Sequence, residues 1–256
     1  MQADPDEPFP ERPSGDLEMT ASRTFSLLAT LLALTSASPM ALAESTAKPS
    51  PVVVELFTSQ GCSSCPPANE NLAAIADRPD VLALSFGVTY WDYLGWKDSF
   101  AQPAFTDRQY AYERTLHKAT AFTPQMVVNG DMDLIGNSAE ELDRVVNAAR
   151  VNAPASPPQV TLVDGKVMVS AGTAPEDAAD VWLVRYDPNI VQVPVARGEN
   201  GGRTLPHKNV VRELTRLGGW SGEAVSFDLP VASDGMKTAI LVQSAFTGPI
   251  LAAAKD

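Results

Sequence analysis

Continuous apolar runs alternate with helical patterns from residue 52 to residue 150. Val52–Phe57 and Val81–Val88 each read as a strand apolar on both faces, the pattern of a sheet covered on both sides. Pro66–Ala76 follows the first run as a helix, with its prolines in the first turn, where a missing N–H is tolerated. Asp77-Arg78-Pro79-Asp80 ends it. Pro103–Lys118 sets Phe105, Tyr112 and Leu116 along one side and predicts a second helix. Gln125–Val128 and Met132–Ile135 flank Asn129-Gly130, a two-residue hairpin signal. Ser138-Ala139-Glu140-Glu141 is a capping box opening a third helix to about Arg150. The expected order is β-α-β-α-β-β-α.

Beyond residue 152 the pattern changes. Ala153-Pro154-Ala155-Ser156-Pro157-Pro158 reads as a Pro-rich linker. Val160–Val163 and Lys166–Ser170 then flank Asp164-Gly165, a second hairpin signal. Ala179–Tyr186, Ile190–Val195, Thr204–Leu214, Ala224–Leu229, Lys237–Ser244 and Ile250–Ala254 follow as strands. Short strands at regular spacing, separated by Gly, Pro and Asp turns, predict a mainly-β, sandwich-like domain over residues 159–256. Residues 44–152 are expected to form a separate α/β domain.

Ahead of both lies a segment of a different kind. Arg23, the apolar stretch Thr24–Leu34, Pro39 and Ala41-Leu42-Ala43 have the order of a basic region, a hydrophobic region and a small-residue cleavage site. Residues 19–43 therefore read as a secretory signal peptide, too short to anchor stably in a bilayer. Residues 1–18 hold six acids against the single base Arg12, the wrong charge ahead of an export signal. They read as a mis-assigned extension, with translation starting at Met19.

The whole chain has 256 residues, 31 Asp+Glu and 19 Lys+Arg, a net charge of −12. Taking away the six acids and two bases of residues 1–43 leaves 25 and 17, a net charge of −8. Either balance excludes a nucleic-acid binder, which needs a basic stripe. A hydrophobic fraction of 45% suffices for a folded core. The expectation is an exported protein, periplasmic or secreted, without a stable membrane anchor.

Two cysteines are too few for a disulfide scaffold or a four-thiolate zinc site. Their spacing, Cys62-Ser63-Ser64-Cys65, lies between a buried strand and a helix. A thiol at a helix N-terminus faces unpaired N–H groups and the positive end of the helix dipole, and both favour the thiolate that attacks disulfides. Cys65, expected one turn into the helix, is placed to resolve a mixed disulfide.

With strand, CxxC and helix in this order, residues 52–150 resemble a thioredoxin-like domain in its minimal form. Leu56–Pro67 and Gly198-Glu199-Asn200-Gly201-Gly202-Arg203 more closely resemble a bacterial family of secreted proteins catalogued only as a thioredoxin-like domain of unknown function. That resemblance spans nearly all of residues 44–256 and implies no substrate. It implies that Thr123-Pro124 lies against the redox pair, with the proline cis, and helps bind an extended substrate. It also implies a buried acid before the redox motif, a place taken by Glu55, which would accept the proton of Cys65. The chain departs from thioredoxin at Gly61, where thioredoxin has tryptophan, and at Ser63-Ser64, which replaces Gly-Pro.

Tyr90-Trp91-Asp92-Tyr93-Leu94-Gly95-Trp96 concentrates aromatics on a loop after the second strand, where ligand sites of α/β sheets tend to lie. Trp91 is the candidate contact for a bound polypeptide, with packing the competing explanation. Gly198–Arg203 is expected to be a Gly-rich strand connection, with no helix or Gly-Lys-Ser/Thr to make a phosphate loop. Arg197 and Arg203 around Glu199 offer an anion site or a latch onto the first domain as alternatives.

The leading expectation is a thiol–disulfide oxidoreductase acting through Cys62 and Cys65 on protein or small-molecule disulfides. It would need a redox recycling partner and no cofactor. The competing expectations are an exported adaptor in which Cys62–Cys65 is a structural disulfide, and a metallochaperone using the cysteines with His117 or His207.

Overall fold

The computed structural model describes residues 49–256; the expected signal peptide and the extension before it fall in residues 1–48, outside the described residues. Strands β1 (Val52–Thr58) and β2 (Val81–Gly87) are buried along their whole lengths and pair in parallel, with Val54 opposite Ala83. Between them, α1 (Pro66–Ile75) lays Ala68, Leu72 and Ile75 over Val52, Val54 and Leu56. Helix α2 (Pro103–Thr115) covers the other face, where Phe105 and Tyr112 meet Val53, Phe57 and Phe86. Phe57 stacks on Phe86 at 5.4 Å between centroids, and Phe105 meets Phe86 edge-on at 5.2 Å. Each such ring contributes about 1.5–3 kcal/mol by leaving water.

Strand β3 (Gln125–Val128) runs antiparallel to β1, and β4 (Met132–Leu134) returns beside it. The turn is Asn129-Gly130, with φ of 47° and 77°, as a two-residue hairpin requires. Helix α3 (Ala139–Val151) begins at Ser138, whose hydroxyl accepts the Glu141 N–H at 3.2 Å.

The remaining strands are β5 (Val160–Val163), β6 (Lys166–Val169), β7 (Ala179–Asp187), β8 (Val191–Pro194), β9 (Thr204–His207), β10 (Val210–Trp220), β11 (Val225–Asp228), β12 (Lys237–Gln243) and β13 (Ile250–Lys255). They do not build a separate sandwich. One eight-stranded sheet runs β13-β12-β7-β10-β2-β1-β3-β4, crossing the Pro-rich linker in sequence but not in space. At the junction Val210 pairs in parallel with Ser85, the Ser85 N–H donates to Asn209 O at 2.9 Å, and Asn209 Nδ2 donates to Ala83 O at 2.8 Å. The described residues form one compact unit.

The cause is visible in the side chains. Strands β7 and β12 are apolar on both faces. Val184, Tyr186, Ala239 and Leu241 join the α2 side of the core with Val53, Phe57 and Phe105. On the opposite face Val181, Leu183, Ile240 and Val242 are covered by the three-stranded sheet β11-β6-β5 through Val167, Val169 and Phe227. The expected second layer of a sandwich is thus the shared central sheet. The result is a mixed α/β fold with a large central sheet and few helices.

One further expectation changes. Thr204–Leu214 is not a single strand: it breaks at Lys208-Asn209, with Asn209 at φ 52°, and resumes as β10, which continues to Trp220. β8 and β9 form their own hairpin, packed through Val193, Val195 and Leu205 on Phe100 and Val210.

Candidate active site at the Cys62–Cys65 turn

The cysteines occupy a turn between β1 and α1. The Cys65 N–H donates to Cys62 O at 3.2 Å, and Cys65 is the N-cap of α1, whose first two positions are the prolines Pro66 and Pro67. Both cysteines therefore lie at or before the start of the helix, Cys65 not one turn inside it as expected. They are disulfide-bonded, with Cα atoms 5.5 Å apart. Neither has exposed surface, whereas Ser63 and Ser64 between them face solvent.

Thr123-Pro124 is cis and lies beside the turn. Thr123 O is 3.8 Å from Cys62 Sγ, and the Ser64 hydroxyl donates to the same carbonyl at 3.4 Å. Trp91 joins this group: its Nε1 donates to Thr123 Oγ1 at 2.7 Å. A Cβ on Gly61 would come within 3.3 Å of the Trp91 Cβ, so the indole side chain crowds the place where a side chain at 61 would start. This gives the glycine a local reason. Trp91 stacks on Tyr93, which is 78% exposed, and Tyr90 links Trp91 to Tyr110, giving a row of four aromatic rings that meets the cysteine turn at Trp91.

Glu55 is brought elsewhere. Successive side chains of a strand point to opposite faces. Glu55 therefore faces the α2 side with Val53 and Phe57, while α1 packs on Val54 and Leu56. Its carboxylate accepts Arg108 Nε at 2.7 Å, Arg108 Nη2 at 3.0 Å and the Tyr112 hydroxyl. Gln243 closes the network through Arg108 Nη2 at 3.0 Å and the Tyr112 hydroxyl at 2.9 Å. Burial works against the Arg108 charge, and the Glu55 carboxylate more than offsets it, so the guanidinium pKa lies above its ordinary value. Desolvation likewise raises the Tyr112 phenol well above its usual range. With its oxygens committed to Arg108 and Tyr112, Glu55 is a structural ion-pair member, in place of the expected proton acceptor for Cys65.

Three buried polar side chains that sequence reading missed hold the approach to the cysteines. Asp98 accepts the Gln60 N–H at 2.7 Å and the Phe100 N–H at 2.8 Å; desolvation raises its carboxyl pKa against these donors. Gln60 accepts Trp96 Nε1 at 2.9 Å and donates to the Ser99 hydroxyl at 3.0 Å. Asn200 donates from Nδ2 to Gln60 O at 3.0 Å and Cys62 O at 2.8 Å. Apart from Phe100, two residues from Asp98, these partners lie 36 or more residues apart in the chain, and no local pattern announces them.

Asn200 belongs to the Gly-rich loop joining β8 and β9, so the loop is the expected strand connection, and it reaches the cysteine turn through Asn200 and Glu199 in place of the arginines considered from sequence. Arg203 Nη1 donates to Asn200 Oδ1 at 2.8 Å, and Gly198, at φ 76°, allows the close turn. Neighbouring Glu199 accepts the Ser63 N–H at 2.9 Å and the Ser63 hydroxyl at 2.7 Å.

The histidines do not join the cysteines in a ligand cluster. Among the described residues no three His, Cys, Asp or Glu side chains gather as a metal site. His207 is buried edge-on against Phe100, and His117 follows α2 at φ 53°. Among the described residues no helix is long and apolar enough to cross a membrane. A groove of about 780 Å³ runs between Val52, Pro79, the linker prolines and Leu251, and no cysteine lines it.

The family model described as "Protein of unknown function (DUF1223)" matches residues 53–243, a span containing both the cysteine turn and the Gly-rich loop. No curated protein matches the chain in sequence. A solved structure of a protein from Agrobacterium tumefaciens is 30% identical, with the match covering 81% of this chain and 94% of that one at a TM-score of 0.68. HBP35 of Porphyromonas gingivalis is 14% identical over 81% of this chain and 75% of its own, with a TM-score of 0.54, a likeness of fold alone.

Proposed function

This chain belongs to the DUF1223 family of proteins of unknown function, and we propose that it is an exported thiol–disulfide oxidoreductase with a thioredoxin-like active centre. The observation that carries this reading is the Cys62–Cys65 pair, at disulfide distance in the turn that opens α1. In the reducing direction the Cys62 thiolate attacks a partner disulfide, forms a mixed disulfide and releases one partner thiolate. The Cys65 thiolate then attacks Cys62 Sγ, closes the Cys62–Cys65 disulfide and releases the second. Two electrons pass to the partner, and a separate dithiol returns them. The reverse sequence oxidises a dithiol.

The surroundings suit a polypeptide partner. The Thr123 backbone beside Cys62 Sγ offers an edge for an extended chain. The aromatic row from Trp91 to Tyr93 offers an apolar platform next to it.

The complete burial of both cysteines favours a second reading, an adaptor in which the disulfide is a permanent staple. Redox titration with thiol trapping separates the two, combined with expression of Cys65→Ser in the exporting host. The oxidoreductase should give a reversible couple between about −120 and −270 mV, and Cys65→Ser should accumulate mixed disulfides through Cys62. A couple below about −300 mV with nothing trapped would establish the staple.

A further inference from the structure

Glu199 puts a negative charge on the turn that carries the cysteines. The hydrogen bonds from the Ser63 backbone N–H and then from its hydroxyl hold this carboxyl below the usual range, so it is ionised at neutral pH. It is held there: the neighbouring Asn200 is fully buried and bonded to the carbonyls of Gln60 and Cys62, and Arg203 steadies Asn200 in turn. The carboxylate is thus delivered by β8–β9, more than 130 residues away in sequence, to the residue that follows Cys62.

Backbone N–H groups and positive potential at a helix start stabilise a thiolate. The Ser63 N–H lies before α1 and is the backbone donor next in sequence to Cys62; a carboxylate bonded to it withdraws that donor and repels a second negative charge. We infer that Glu199 is a positioning residue that holds back ionisation of the Cys62 thiol in the reduced protein and so biases the Cys62–Cys65 couple toward the disulfide. Its physiological meaning rests on the oxidoreductase reading; its acid–base effect does not. Reduction breaks the Sγ–Sγ bond with two electrons from a donor dithiol, which itself becomes a disulfide, and its two protons pass to Cys62 and Cys65. Release of the Cys62 proton to solvent then stabilises the dithiol form, and Glu199 subtracts from that stabilisation.

The test compares the thiolate absorbance titration of Cys62 in a Cys65→Ser background with and without Glu199→Gln, which keeps an acceptor for Ser63 and removes the charge. The Cys62 pKa should fall by about half to one unit in Glu199→Gln, a three- to tenfold change in the ionisation constant. Glu199→Ala should fall at least as far. About 1 M salt should shrink the difference, since the carboxylate is exposed. With both cysteines present, equilibration against dithiothreitol above the Cys62 pKa should favour the dithiol form of Glu199→Gln three- to tenfold, about 15–30 mV.

Equal pKa values in all three proteins overturn the inference, as does a shift that salt leaves unchanged, which would mark a conformational cause. A pKa shift in a protein that traps no partner sustains it while the oxidoreductase reading fails. Trapped partners with no pKa shift do the reverse.

Discussion

His207 is a buried imidazole whose two ring nitrogens have no hydrogen-bond partner. Burial, with a smaller contribution from the Arg212 charge, pushes its pKa down to about 4. The unfolded chain takes up a proton near pH 6.5 and the native protein only near 4, so stability falls as pH drops through that window and levels off below it. The loss attributable to this one ring is about 3 kcal/mol. Urea midpoints at pH 7 and pH 4.5 should show it, and His207→Leu should lose correspondingly less. An equal loss in both proteins would remove His207 as the cause. At this same scale Glu55 shows why single residues were hard to read. Its position in the strand was legible, but its face and its partners were not, because Arg108 lies 53 residues away and Gln243 joins through Arg108 from β12.

Elements were legible wherever a local rule sufficed. The double proline opening α1, the Ser138 cap of α3 and the Asn129-Gly130 hairpin all stand where local chemistry puts them. Asn129 does more than turn the chain. Its Oδ1 accepts the Val53 N–H at 2.8 Å, its N–H donates to Val53 O at 2.8 Å, and its carbonyl accepts the Ile250 N–H at 2.8 Å. One turn residue therefore ties β1 and β13 to the hairpin. Asn129→Ala leaves the buried Val53 N–H without an acceptor and should cost about 1–3 kcal/mol. The urea midpoint should move with the slope unchanged, and an unmoved midpoint would show that water replaces the side chain. The break between β9 and β10 escaped sequence reading because no Gly stands at it and Pro206 lies within β9, two residues ahead of it. The residue at positive φ is Asn209, and its amide is spent on Ala83 O.

At the scale of the molecule, the Pro-rich linker suggested a domain boundary that the central sheet ignores. Strands from both sides of it share one core, and Gln243 of β12 completes the ion-pair network around Glu55 of β1. Cleavage at a protease site inserted within residues 153–158 should leave the two pieces associated on a sizing column. Circular dichroism and tryptophan fluorescence should report the same unfolding midpoint. Residues 44–152 expressed alone should lack a cooperative transition, since the β7–β12 cover of Phe57 and Phe86 is gone. Two separable, independently folded pieces would restore the two-domain reading.

The sequence by itself determined the element order through β4 and α3, most strand positions beyond, and the Cys62–Cys65 pair between strand and helix. Each follows from side-chain period, turn chemistry or spacing within a dozen residues. The tertiary structure alone decided that all the strands flanking β2 belong to one sheet, that Glu55 turns away from the cysteines, and that Glu199 and Asn200 come to them. Those outcomes depend on which faces must be covered and which buried polar atoms must be satisfied. Neither condition exists until distant segments have packed.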